Sequence, residues 1–145
     1  MKWNELLSPK NMTVRVLIEK DDKGFSVYTD NLKHGVIIGE GKNVEEAKAD
    51  FFNSWEEIKS IYPDRGLKIP DEMLNPKFEF RYDVSSVFDE LDVINTTKFA
   101  KMAGVNSSLL RHYKCGDFPI SDKQVKKIEN ALHDLGRRLL SVSML

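Results

Sequence analysis

Between Phe99 and Gly116 the chain reads FAKMAGVNSSLLRHYKCG, a stretch dense in hydrogen-bond donors. Asn106, Ser107, Ser108, Arg111 and His112 carry short or bidentate donor groups, and Lys98, Lys101 and Lys114 place cations around them. Such a set suits a nucleic-acid groove, where lysines neutralise phosphates while amide, hydroxyl and guanidinium groups reach base edges. The spacing supplies a frame for them. Ala100 is small where one helix would meet the next, and Gly104 is free to take positive φ at a corner. Val105, Leu110 and Tyr113 fall at steps that would anchor the second helix. Thr97, Lys98, Lys101, Asn106, Ser107, Ser108, Arg111, His112 and Lys114 are therefore the expected DNA contacts. A plain helical hairpin with a solvated polar face is the competing reading. The capped helix, the terminating Gly116 and a further amphipathic helix beyond it favour DNA.

Other candidate chemistry is thinner. Glu19, Asp21, Asp22, Glu40 and Asp83 could be imagined as a metal-binding carboxylate set, and with it a metal-dependent nuclease. Most of them fall in turns or at strand ends, where acids are ordinarily solvated. His112 has no metal-ligating partner at a workable spacing. Cys115 is the only cysteine, which excludes an internal disulfide and any multi-cysteine zinc site. No catalytic residue, metal or cofactor is assigned, and the chain is expected not to be an enzyme.

The elements that would position these residues follow from hydrophobic periodicity. Val14, Val16 and Ile18 alternate with Thr13, Arg15, Leu17 and Glu19, the pattern of a half-buried strand. Asp21 to Gly24 reads as a turn, after which Phe25, Val27 and Thr29 resume the alternation in a hairpin. Val36-Ile37-Ile38 predicts a third strand, with Gly35, Gly39 and Gly41 marking bends or bulges around it. Val44, Ala47, Phe51, Trp55, Ile58 and Tyr62 form the stripe of a helix covering one sheet face. Asn43 and Glu46 make a capping box at its start, and Pro63 is expected to end it. PDRGLKIPDEMLNP reads as a loop. Phe78, Phe80 and Tyr82 then alternate in a fourth strand.

The expected fold class is α+β: a small βββαβ domain over residues 1–83, with one helix against an antiparallel sheet, followed by an all-α domain over 84–145. In the rear part Val84, Val87, Phe88 and Leu91 space a first helix. Asn95 or Thr96 caps a second over Thr97 to Ala103, and Asn106 caps a third over Ser107 to Cys115. Ser121 and Gln124 open a fourth, with Val125, Ile128, Leu132 and Leu135 on its apolar face.

At 145 residues, 41% hydrophobic and 31% charged, the composition is that of a globular protein. No apolar run approaches the roughly 18 residues of a membrane span, and MKWNELLSPK lacks the apolar stretch of a signal peptide. The cytoplasm is the default location. Net charge is −1, but from Asn95 to Leu145 nine Lys and Arg face four acids, so that segment is +5 and the first 94 residues carry −6. An acidic front and a basic rear imply two surfaces with different partners.

FAKMAGVNSSLLRHYKCG followed by ISDKQVKKIENAL resembles the Cro/C1-type helix-turn-helix domain of phage-type repressors. VRVLIEKDDKGFSVYTDNLKHGVIIGEGKNVEEAKADFFNSWEEI is similar to the N-terminal domain of HicB-type antitoxins. That pattern runs strand, acidic turn with Gly, strand, short loop, Gly-rich strand, then a helix beginning "EEA". The loop from Asp30 to Gly35 departs from it, keeping only the glycine where the family has a Pro before and a Gly-Cys pair after. The resemblance implies a partial RNase H-like front domain and an antitoxin of a type II toxin–antitoxin pair. Its partners would be a HicA-like toxin that degrades mRNA and double-stranded operator DNA. Leu17 and Tyr28, pointing away from the apolar faces of the first hairpin, are the expected toxin contacts. A homodimer or higher oligomer is expected, with Val84 to Leu91 and Leu139 to Val142 as candidate contacts. A stand-alone repressor-like regulator, whose front domain dimerises or senses a ligand, is the runner-up.

Overall fold

The computed structural model describes residues 12–145; the MKWNELLSPK segment read above for a signal peptide lies outside the described residues. The described residues form a mixed α+β structure of four strands and six helices. The chain divides into two compact units between Asp83 and Val84.

In the first unit β1 (Thr13–Asp21), β2 (Gly24–Thr29), β3 (Ile38–Gly41) and β4 (Lys77–Tyr82) form a sheet in the order β3-β2-β1-β4. The Asp21 carboxylate builds the first turn by accepting from the backbone N–H of Lys23 at 2.7 Å and of Gly24 at 2.9 Å. β1 with β2 and β2 with β3 are antiparallel. β4, however, runs parallel to β1, with Val14 opposite Phe78 and Val16 opposite Phe80. The sheet is therefore mixed and not antiparallel as expected. Period-two alternation marks β4 as a strand but carries no direction; the crossover through α1 (Val44–Asp64) sets it.

Three further expectations are corrected. The third strand begins at Ile38 instead of Val36 and runs through Gly39 and Gly41. A Cβ on Gly39 would lie 2.1 Å from the Phe51 nitrogen, and one on Gly41 2.4 Å from that of Ala47. These glycines let α1 rest directly on the backbone of β3. Pro63 does not end α1 but sits within its last turn, where its missing N–H removes a single bond. The proline-rich loop contains a one-turn helix, α2 (Asp71–Leu74), which seats Met73 in the core.

Asn43 does cap α1, accepting from the Glu46 N–H at 2.8 Å, while the Glu46 carboxylate reaches back to the Lys42 N–H. Val44, Ala47, Phe51 and Trp55 are buried against Val14, Val16, Ile18, Phe25 and Val27. Full burial of a valine, isoleucine or phenylalanine side chain stabilises by about 1.5–3 kcal/mol.

The second unit consists of α3 (Val84–Glu90), α4 (Thr96–Ala103), α5 (Ser107–Cys115) and α6 (Asp122–Leu140). Its core is Phe88, Phe99, Ala100, Val105, Leu110, Tyr113, Ile128 and Ala131. On α3 the buried residues are Ser85, Ser86 and Phe88, whereas Leu91, expected on its apolar face, is 42% exposed. Ser85 is accommodated because its hydroxyl donates to the Tyr113 carbonyl at 3.2 Å. On α6 Val125 is exposed and Ala131 takes the buried place beside Ile128.

Candidate nucleic-acid interface

Capping side chains fix the corner between α4 and α5. Asn95 opens α4, its side-chain oxygen accepting from the Lys98 N–H at 3.0 Å. Gly104 closes α4 at φ 71°, ψ 31°, its N–H turned back to Ala100 and Lys101 carbonyls. Val105 then donates to the Ala100 carbonyl and buries its side chain, and Asn106 caps α5 by accepting from the Leu109 N–H at 3.1 Å. From α6 the Lys127 ammonium reaches the Gly104 carbonyl at 3.5 Å. The lone Lys127 signal in the sequence gave no hint of that contact.

Leu110 and Tyr113 are buried and hold α5 by one side. Ser108, Arg111, His112 and Cys115 are exposed, and their spacing places them in one outward stripe. Thr97, Lys98 and Lys101 are exposed on α4. Ser107 and Lys114 are half-buried at the flanks. The Asn106 oxygen serves the helix N-terminus, which leaves its amide N–H groups for a ligand. Among the described residues Lys98, Lys101, Arg111 and Lys114 form no ion pair, whereas Lys126 pairs with Glu129 and Arg137 with Asp134. α4 and α5 thus carry four cations without an ion-pair partner among the described residues.

His112 is different. Its Nδ1 lies 3.1 Å from an Asp117 carboxylate oxygen, and its ring meets Phe118 edge to face, centroids 5.0 Å apart. Neither Asp117 nor Phe118 was expected to contribute. The signal that could have found them is the position of Asp117 just past Gly116, where the chain turns back over the end of α5.

In the first unit α1 covers one sheet face. On the opposite face Leu17 stands in register with Tyr28 on β2 and with Arg81 on β4, and Tyr28 with Ile38 on β3. Leu17 and Tyr28 are half-buried and Ile38 is 51% exposed. Ile38 and Arg81, absent from the sequence-based set, belong to the same row. Burial first, and then a hydrogen bond to Glu19, raise the Tyr28 phenol above its usual value. Both arginines of this face are already matched: Arg15 Nε contacts both oxygens of Asp30, at 2.7 and 2.9 Å, and Arg81 pairs with Glu79.

Among the described residues no group of three or more His, Cys, Asp or Glu is placed to hold a metal ion. No helix among them is long and apolar enough to cross a membrane. Comparison with family models, curated proteins and solved structures returns no match.

Proposed function

We propose that this chain is a two-part binding protein of the HicB type its sequence resembles: an antitoxin that also represses its own operon. The observation that carries the reading is the corner at Gly104. It fixes α5 by Leu110 and Tyr113 and turns Ser108, Arg111 and His112 outward, with unpaired Lys98 and Lys101 exposed on the preceding α4. That is the arrangement a helix-turn-helix needs to seat a reading helix in a major groove and neutralise flanking phosphates. A homodimer would pair two such helices on a two-fold operator.

For the front unit the proposed partner is a small HicA-like toxin that degrades mRNA. The row of exposed Ile38 and half-buried Tyr28 and Leu17 supports a protein contact, and the net charge of −3 over residues 1–83 suits a basic, RNA-binding partner. The mixed β3-β2-β1-β4 sheet with one covering helix is compatible with a partial RNase H-like fold. The cytoplasm is the proposed location.

Co-expression with the neighbouring gene, followed by pull-down and growth measurement, tests the antitoxin half. Mobility shift on DNA upstream of the chain's own gene tests the repressor half. A harmless neighbour together with retained DNA binding would make the stand-alone regulator the correct reading.

A further inference from the structure

The pairing of His112 with Asp117 has a consequence for how α5 reads DNA. Gly116 sits at φ 77° and turns the chain so that the Asp117 N–H donates to the His112 carbonyl at 3.0 Å. The same two residues meet again through their side chains, Nδ1 to carboxylate at 3.1 Å, and Phe118 holds the imidazole from another side. The ring is thus restrained at two points while the residue remains exposed on the outward stripe of α5. An ionised carboxylate only accepts hydrogen bonds, so when the ring is neutral its proton sits on Nδ1. Nε2, on the far side of the ring from Asp117, is then an acceptor.

We propose that Asp117 is a positioning residue that makes His112 a reader of base-edge amino groups rather than a phosphate contact. An acceptor entering the major groove matches the N4 amino group of cytosine or the N6 amino group of adenine, and it matches neither O6 nor N7 of guanine. A phosphate is disfavoured there as well, because the Asp117 carboxylate would stand next to it. Arg111, one residue earlier on the same stripe, has the opposite chemistry: its guanidinium donates and suits guanine. Together they would read adjacent positions with complementary preferences. This inference rests on the operator-binding reading given above.

The test is selection from a pool of randomised duplexes with the full chain, followed by titration of the enriched sequence and its single-base changes. The wild-type chain prefers cytosine or adenine at one position of each half-site. Asp117→Ala lowers that preference about tenfold, leaves the other positions unchanged, and leaves the salt dependence of binding unchanged. Asp117→Asn, whose amide oxygen still accepts from Nδ1, retains the preference. His112→Ala removes it at the same position, which guards against a folding defect specific to the Asp117 variants. An unaltered preference in Asp117→Ala or in His112→Ala, or an equal loss across all sequences, would overturn the inference while leaving operator binding intact. Failure of the wild-type chain to enrich any duplex would remove the operator-binding reading and this inference with it.

Discussion

Asp21 organises the first hairpin through three donors, the N–H groups of Lys23 and Gly24 and the hydroxyl of Ser26 at 3.1 Å. The Lys23 N–H is the largest cause of a carboxyl pKa below the usual aspartate value, followed by Ser26. A folded-state pKa below the unfolded one gives stability that is fully present above about pH 3.9 and is lost as pH falls through the folded value. Asp30, held down by Arg15, contributes with the same sign. Stability of the first unit should therefore decline on acidification below about pH 4, and Asp21→Asn should flatten that decline. Urea unfolding at a series of pH values, followed by the fluorescence of buried Trp55 in a Trp3→Phe background, reads this directly. An identical acid slope in Asp21→Asn would contradict it.

At the scale of elements, two glycines predict different kinds of damage. Gly39→Ala puts a methyl into the α1 backbone, 2.1 Å from the Phe51 nitrogen, where no side chain can move aside. The helix must lift from β3, at a cost of about 3 kcal/mol or more. Gly104 has open space around its missing Cβ but sits in the left-handed region, so Gly104→Ala should cost only about 1–2 kcal/mol of backbone strain. Thermal unfolding of the two variants should separate them in that order. Capping signals, in contrast, were readable in the sequence. Asn43, Asn95, Asn106 and Ser121 each cap the helix whose start they mark, because a cap depends on residues three apart. Contacts formed across the fold were not. The direction of β4, the seat of Met73 of α2 in the core, and the Lys127 contact to the Gly104 turn all depend on chain paths that periodicity does not encode. Gly39 and Gly41 read as punctuation around a strand because the sequence shows only a missing side chain. It does not show the helix that requires the gap.

In the whole molecule, two units with separate proposed tasks can each be disturbed alone. Leu17→Glu places a carboxylate in the row shared with Tyr28, Ile38 and Arg81. It should abolish growth rescue when the neighbouring gene is expressed and leave DNA binding unchanged; loss of both would argue against separate partners. Lys98→Ala and Lys101→Ala should weaken binding to all duplexes alike and make binding less dependent on salt. The most direct test of the central claim is a mobility-shift titration of the full chain and its Arg111→Ala variant, using DNA from immediately upstream of its own gene. Arg111 is exposed on the outward stripe of α5 with no ion pair among the described residues, so its removal should leave the fold intact. Arg111→Ala should weaken binding by about 1–3 kcal/mol and relax the sequence preference. Full affinity and selectivity in Arg111→Ala would contradict the assignment of α5 to the groove.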